Sequence, residues 1–144
     1  MNLEPLYDLI RKFEGLRLKP YLCPAGIPTV GYGHTGPEVR LDSPPISEGF
    51  AEELMREDVE RFVRAALRLS PILAAEPARL CAVADFCFNL GTGRYKASTL
   101  KRKVDAGDWE EAAEQLGKWV WGGGRRLPGL VARRAAEAQL MIGG

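Results

Sequence analysis

The chain has 144 residues, 20 Lys and Arg against 19 Asp and Glu, and a formal net charge of +1. A length of this order makes one domain that buries about 70% of the surface its unfolded chain would expose, so no metal or disulfide staple is needed. The 46% apolar share is that of a soluble globular protein, and no apolar run approaches the roughly 18 residues of a membrane span, which excludes a spanning segment. Charge is uneven: residues 1–76 hold 9 basic against 12 acidic side chains, and residues 77–144 hold 11 against 7. A basic second half is compatible with an anionic polymer as partner, and equally with two ordinary solvated surfaces. Cys23, Cys81 and Cys87 form an odd set without CxxC spacing, which argues against a disulfide framework and against zinc.

Met1 to Asp8 contains no basic start, apolar core or small-residue cleavage site, so the chain reads as lacking a signal peptide, with synthesis in the cytoplasm expected. Leu3, Leu6, Tyr7, Ile10 and Phe13 recur at three- and four-residue steps, predicting a helix over about 2–12 that Asn2 caps. Glu14 falls where that helix ends. A carboxylate beside a core edge is a candidate general acid, because partial burial raises its pKa; a solvated helix-end glutamate is the plainer alternative. From Arg17 to Thr35 the pattern turns extended, with pieces at Leu18–Leu22 and Pro28–Tyr32 around the turn Pro24-Ala25-Gly26, a small antiparallel sheet. Glu14, Cys23, Thr29 and the lone His34 crowd into this stretch. Residues 36–46 carry too many prolines and glycines for a regular element and read as a loop.

Ser47 is the expected cap of a long amphipathic helix carrying Phe50, Leu54, Val59, Phe62, Val63, Ala66 and Leu67, acidic early and arginine-rich late. Pro71 interrupts it. Pro77 starts the most apolar stretch, with Leu80, Cys81, Ala84, Cys87, Phe88 and Leu90, and the two thiols are expected on different sides of that helix. Asn89 to Gly93 reads as a loop, Ser98 as the cap of a helix through Val104, and Asp108 with Glu111 as a capping box for a helix bearing Trp109, Ala112, Leu116 and Trp119. Both tryptophans are expected in the core. Gly122 to Arg126 reads as a mobile basic loop, and Pro128 opens a final helix with Leu130, Arg133, Arg134, Glu137 and Leu140. A phosphate-binding loop is the wrong reading here, since neither a preceding strand nor a Gly-Lys-Ser/Thr ending is present.

Several of these segments together resemble the phage-type lysozymes, the endolysins of glycoside hydrolase family 24. The resemblance lies in Phe13-Glu14-Gly15-Leu16-Arg17-Leu18, Tyr21, Thr29-Val30-Gly31-Tyr32-Gly33-His34-Thr35, Phe88-Asn89-Leu90-Gly91-Thr92-Gly93, Ser98-Thr99-Leu100, Gly107-Asp108, and Leu127-Pro128-Gly129-Leu130 with Arg133, Arg134 and Glu137. It covers nearly the whole chain and implies an α+β, mostly helical, lysozyme-like fold. A small N-terminal lobe (about 12–49) with a short antiparallel sheet is joined by a linking helix (about 50–69) to a larger helical lobe (about 70–144 plus the first helix, 2–12).

The activity implied is hydrolysis of the β-1,4 bond between N-acetylmuramic acid and N-acetylglucosamine in bacterial peptidoglycan. By position, Glu14 resembles the general acid, Cys23 stands where the commonest pattern has an aspartate, and Thr29 is the third catalytic member. Such a bond needs a proton on the leaving oxygen and stabilisation of an oxocarbenium-like transition state. Cys23 can orient a water with Thr29, attack directly, or be an inert packing residue. Thr35, Phe88 and Asn89 are the implied substrate-binding positions, and His34, Arg133 and Arg134 the structural residues near the site, with His34 fixing the hairpin. No metal or cofactor is expected. The implied partner is peptidoglycan, with no nucleic acid and no stable membrane association, and the chain is expected to be a monomer released by a holin to act on the periplasmic wall. A lytic transglycosylase and a non-lytic peptidoglycan-binding module are the alternatives.

Overall fold

The computed structural model describes residues 1–143. Its first helix, α1, spans Glu4–Glu14, and Asn2 Oδ1 accepts from the Glu4 amide at 3.0 Å, satisfying one of the amides that every helix start leaves free. Leu6, Leu9 and Ile10 are its buried face, and Gly15, at φ 72°, turns the chain out of it. A three-stranded antiparallel sheet follows: β1 (Arg17–Leu22), β2 (Pro28–Gly31) and β3 (His34–Thr35), in that order, with Tyr21 opposite Thr29 and Val30 opposite His34. An irregularity between Arg17 and Tyr21 bends β1.

Helix α2 spans Glu48–Leu69, and Ser47 Oγ accepts from the Phe50 amide at 3.1 Å. Its 22 residues run about 33 Å. The face it buries is Ala51, Met55, Asp58, Val59, Ala65 and Ala66, so Phe50, expected on the apolar stripe, is 47% exposed. Beyond a 3-10 turn at Pro71–Ala75 lie α3 (Pro77–Leu90), α4 (Thr92–Lys96), α5 (Thr99–Asp105), α6 (Trp109–Leu116), the short strands β4 (Trp121–Gly122) and β5 (Arg125–Arg126), and α7 (Pro128–Gly143). Ser98 Oγ caps α5, accepting from Lys101 N at 3.0 Å, and Asp108 Oδ1 caps α6, accepting from Glu111 N at 3.3 Å, but the other arm of the capping box is absent because Asp108 N donates to Lys103 O at 2.9 Å.

Two expectations are corrected. Residues 89–93 are not one loop: α3 continues through Leu90, Gly91 at φ 101° breaks it, and α4 begins at once, because the Tyr95 ring is wholly buried and draws the chain back onto the core. The basic loop at 122–126 is a hairpin, with Trp121 paired to Arg126 and Gly122 to Arg125. Gly123 and Gly124, at φ 57° and 77°, supply the turn geometry that suits a two-residue connection. Trp109 and Trp119 pack against the core only partly buried, and Phe86 meets Trp119 edge to face at 5.3 Å.

Two apolar clusters form. One gathers Leu6, Ile10, Tyr32, Ala51, Met55, Val59, Cys81 and Ala84; the other holds Leu73, Leu80, Val83, Phe86, Cys87, Tyr95, Leu100, Val104 and Leu116. Cys81 and Cys87 thus face different clusters from one helix. Helix α1 packs on α2, α3 and α7, which sets Glu14, at its end, between the sheet and the helices. Among the described residues no helix is long and apolar enough to cross a membrane.

Candidate active site

Glu14 stands at the last turn of α1 with its side chain 20% exposed. Its Oε2 accepts from Arg133 Nη1 of α7 at 2.7 Å. Arg133 is itself held by Asp85 of α3, whose carboxylate takes Nε at 2.9 Å and Nη2 at 2.8 Å, the two-pronged geometry a guanidinium offers a carboxylate. Both partners are buried. Burial disfavours the Asp85 charge, but the hydrogen bonds from Arg133 and Glu137 prevail and hold the carboxyl below its usual range. The Phe13 ring lies 5.7 Å from the Arg133 guanidinium.

The opposite side of the Glu14 carboxyl is closed by backbone. A Cβ on Gly33, in the turn between β2 and β3, would lie 2.6 Å from Glu14 Oε1, and Gly33 sits at φ 73°. Only glycine brings the chain this close in this conformation. Glu14 is therefore confined between a guanidinium and a peptide.

Cys23 follows β1, where its amide donates to Ile27 O at 3.1 Å across the turn. Hydrogen bonding from the Ile27 backbone, with further help from Ala25 and the Thr29 hydroxyl, outweighs desolvation and holds the thiol below its usual value. Thr29, buried on β2, gives its hydroxyl proton to Ile27 O at 2.8 Å, so it can help a thiolate only by turning that proton toward sulfur. Tyr21 connects the two ends of the stretch: burial pushes its phenol up, and the charges of Glu14 and Cys23 both add to the rise.

His34 is buried between two acids, Nδ1 at 2.7 Å from Asp58 Oδ2 and Nε2 at 2.7 Å from Glu38 Oε1, and Arg61 donates to Asp58 Oδ1 at 2.5 Å. With both ring nitrogens engaged, His34 ties the β3 strand to α2. Burial disfavours its charged form, yet the hydrogen bonds to Glu38 and Asp58 prevail and the pKa is raised. Thr35 is exposed on β3. Phe88 is half-buried, 5.4 Å edge to face from Phe62, and the Asn89 amide oxygen is committed to Arg134 Nη2 at 2.7 Å.

Arg134 is fully buried beside Glu137, Nη2 at 3.0 Å from Oε2. Its Nε lies 2.9 Å from Glu137 Oε1 without the alignment of a hydrogen bond, leaving Nε, Nη1 and Oε1 buried and unpartnered. Burial pushes the Glu137 carboxyl well above its usual range, and its hydrogen bond to Asp85 adds to the rise. Asp85, Asp58, Glu38 and the close approach of Gly33 escaped the reading of the sequence. Asp85 had a signal: an acid amid the apolar run of α3 has to be paired if it is to be buried. Among the described residues no group of three or more His, Cys, Asp or Glu is arranged to hold a metal.

A family profile described as Phage lysozyme matches residues 11–137. The endolysin of Bacillus phage B103 is 38% identical over 142 residues, covering 95% of this chain and 52% of that protein, so the chain spans about half its length. The endolysin of Acyrthosiphon pisum secondary endosymbiont phage 1 is 38% identical over 136 residues, covering 92% of this chain and 91% of that protein. Among solved structures, the muramidase domain of SpmX from Asticaccaulis excentricus superposes with a TM-score of 0.83 at 30% identity, covering 96% of this chain and 95% of that one.

Proposed function

The chain belongs to the phage lysozyme family, a family of glycoside hydrolases, and on that premise we propose that it is a muramidase cutting the β-1,4 bond between N-acetylmuramic acid and N-acetylglucosamine in bacterial peptidoglycan. The observation that carries this reading is the Glu14 carboxyl, fixed by Arg133 on one oxygen, pressed by Gly33 on the other, and still open to solvent. A carboxyl fixed in this way meets the demand of general acid catalysis, in which the leaving oxygen takes a proton from a group already in line with it. Cys23, accessible and held below the usual thiol range, serves with Thr29 to hold and activate the attacking water on the other face of the sugar. Thr35, Phe88 and Asn89 belong to the sugar-binding surface, Phe88 offering an aromatic face.

Hydrolysis is favoured over transglycosylation, since the similar proteins carry the names endolysin and muramidase. The working unit is a monomer in two lobes about α2. Access to the wall depends on a separate membrane lesion of the kind a holin makes.

The test is lysis of permeabilised Gram-negative cells by wild type, Glu14→Gln and Cys23→Ala. Glu14→Gln is expected to lose lysis, and Cys23→Ala to fall by about 10²- to 10⁴-fold. Equal lysis by Glu14→Gln refutes the reading; full activity in Cys23→Ala refutes only the role of the thiol. Mass spectrometry of the digest should find reducing ends, and 1,6-anhydro sugars would instead mark a transglycosylase.

A further inference from the structure

Five ionisable side chains from three helices meet between α1, α3 and α7, and only one of them is open to solvent. Glu14 comes from α1, Asp85 from α3, and Arg133, Arg134 and Glu137 from α7; all but Glu14 are at most 4% exposed. Arg133 has three donor groups to place. Asp85 takes Nε and Nη2, and Nη1 alone is left to meet Glu14 at 2.7 Å. The fork fixes the plane of the guanidinium, and that plane fixes where Nη1 points. We infer that Asp85 is a positioning residue for glycosidic cleavage, acting through Arg133 to set the direction of the Glu14 carboxyl; this inference rests on the muramidase reading of the site.

The charges of the cluster support it. Two guanidiniums face three carboxyls, and burial, with Asp85 beside it, pushes the Glu137 carboxyl well above its usual range. Asp85 holds two of the three Arg133 nitrogens, and Glu14 meets the third. On the sheet side the Glu14 charge also acts on Tyr21 of β1, whose ring carries the Arg17 guanidinium at 4.3 Å. Loss of the Asp85 charge leaves the Arg133 charge to act on Glu14 alone. The ionised form of Glu14 is then favoured, and that form has no proton to give.

The experiment compares wild type with Asp85→Asn on purified peptidoglycan sacculi, measuring kcat, KM and the pH profile, together with a carbon-13 titration of the Glu14 carboxyl. We expect kcat to fall about tenfold to a hundredfold with KM little changed. The alkaline limb of activity and the Glu14 titration should both move to lower pH. A folded Asp85→Asn with wild-type kcat and an unmoved Glu14 titration overturns the inference, as does a loss confined to KM. The titration reads the link from Asp85 to Glu14 without any turnover: a moved titration in a protein that releases no reducing ends sinks the muramidase reading and leaves the link intact. Removing one partner of a buried pair is destabilising. If Asp85→Asn does not fold, Asp85→Glu replaces it, keeping the charge and displacing the fork; lowered kcat at unchanged KM supports the inference and wild-type kcat overturns it.

Discussion

At Gly33 the backbone of one hairpin turn and the carboxyl of a helix share a space too small for a methyl group, since an added Cβ would stand 2.6 Å from Glu14 Oε1. Gly33→Ala must therefore displace the acid or the turn, and it also places a side chain at φ 73°. We expect a stability loss of about 1–3 kcal/mol and, on the acid role proposed for Glu14, a fall in kcat of about a hundredfold. Urea unfolding and sacculus hydrolysis check the two separately. In the sequence Gly33 is one glycine of the Gly31-Tyr32-Gly33-His34 run; nothing in its neighbours distinguishes a glycine needed for its φ from one needed because a carboxyl 19 positions earlier folds against it. The place of Glu14 was legible from the helix that ends on it, but position alone left it a plain helix-end glutamate, and only the family resemblance singled it out as a general acid. Its clamp was legible only in part. Arg133 was read as near the site, whereas Asp85 sat unremarked in a run whose apolarity drew attention to its neighbours.

Among the elements, the sheet and α2 are fastened by a charged chain from Glu38 through His34 and Asp58 to Arg61. His34 has its pKa raised above 6.5 in the folded protein, because the hydrogen bonds to Glu38 and Asp58 overcome burial. A raised histidine contributes fully below its unfolded value and loses that contribution as pH rises through the folded value. Glu38 is lowered from 4.5, chiefly by its hydrogen bond to His34, so its contribution is present above that value and is lost as pH falls through the folded one. Stability from this chain is therefore greatest between the two unfolded values. Thermal unfolding across pH should give His34→Asn a flatter profile than wild type, with the largest deficit in that window; parallel profiles would show that the chain adds nothing. Sequence pattern found the helices well where a cap marked the start, as at Ser47, Ser98 and Asp108. It failed at Gly91 and at Gly123-Gly124, where a glycine pair looks the same in a loop and in a hairpin, and only the burial of Tyr95 and the pairing of Trp121 with Arg126 decide.

Over the whole molecule, the two apolar clusters divide the labour of holding the fold and holding the site. Tyr32, Met55 and Cys81 belong to the cluster under the sheet, while Leu100, Val104 and Leu116 lie among the later helices. A cavity in the second cluster should weaken the fold and spare the chemistry. Leu100→Ala is expected to cost about 2–5 kcal/mol, with unchanged turnover per folded molecule, as urea unfolding and sacculus hydrolysis below the transition would report. That the first helix closes onto the later ones has a consequence for the cell that makes the protein. Glu14 and the arginine that aims it are separated by 119 residues, a delay on the order of ten seconds during translation. Throughout that interval the nascent chain carries Glu14 without its guanidinium partner, and the contact forms only once α7 has emerged.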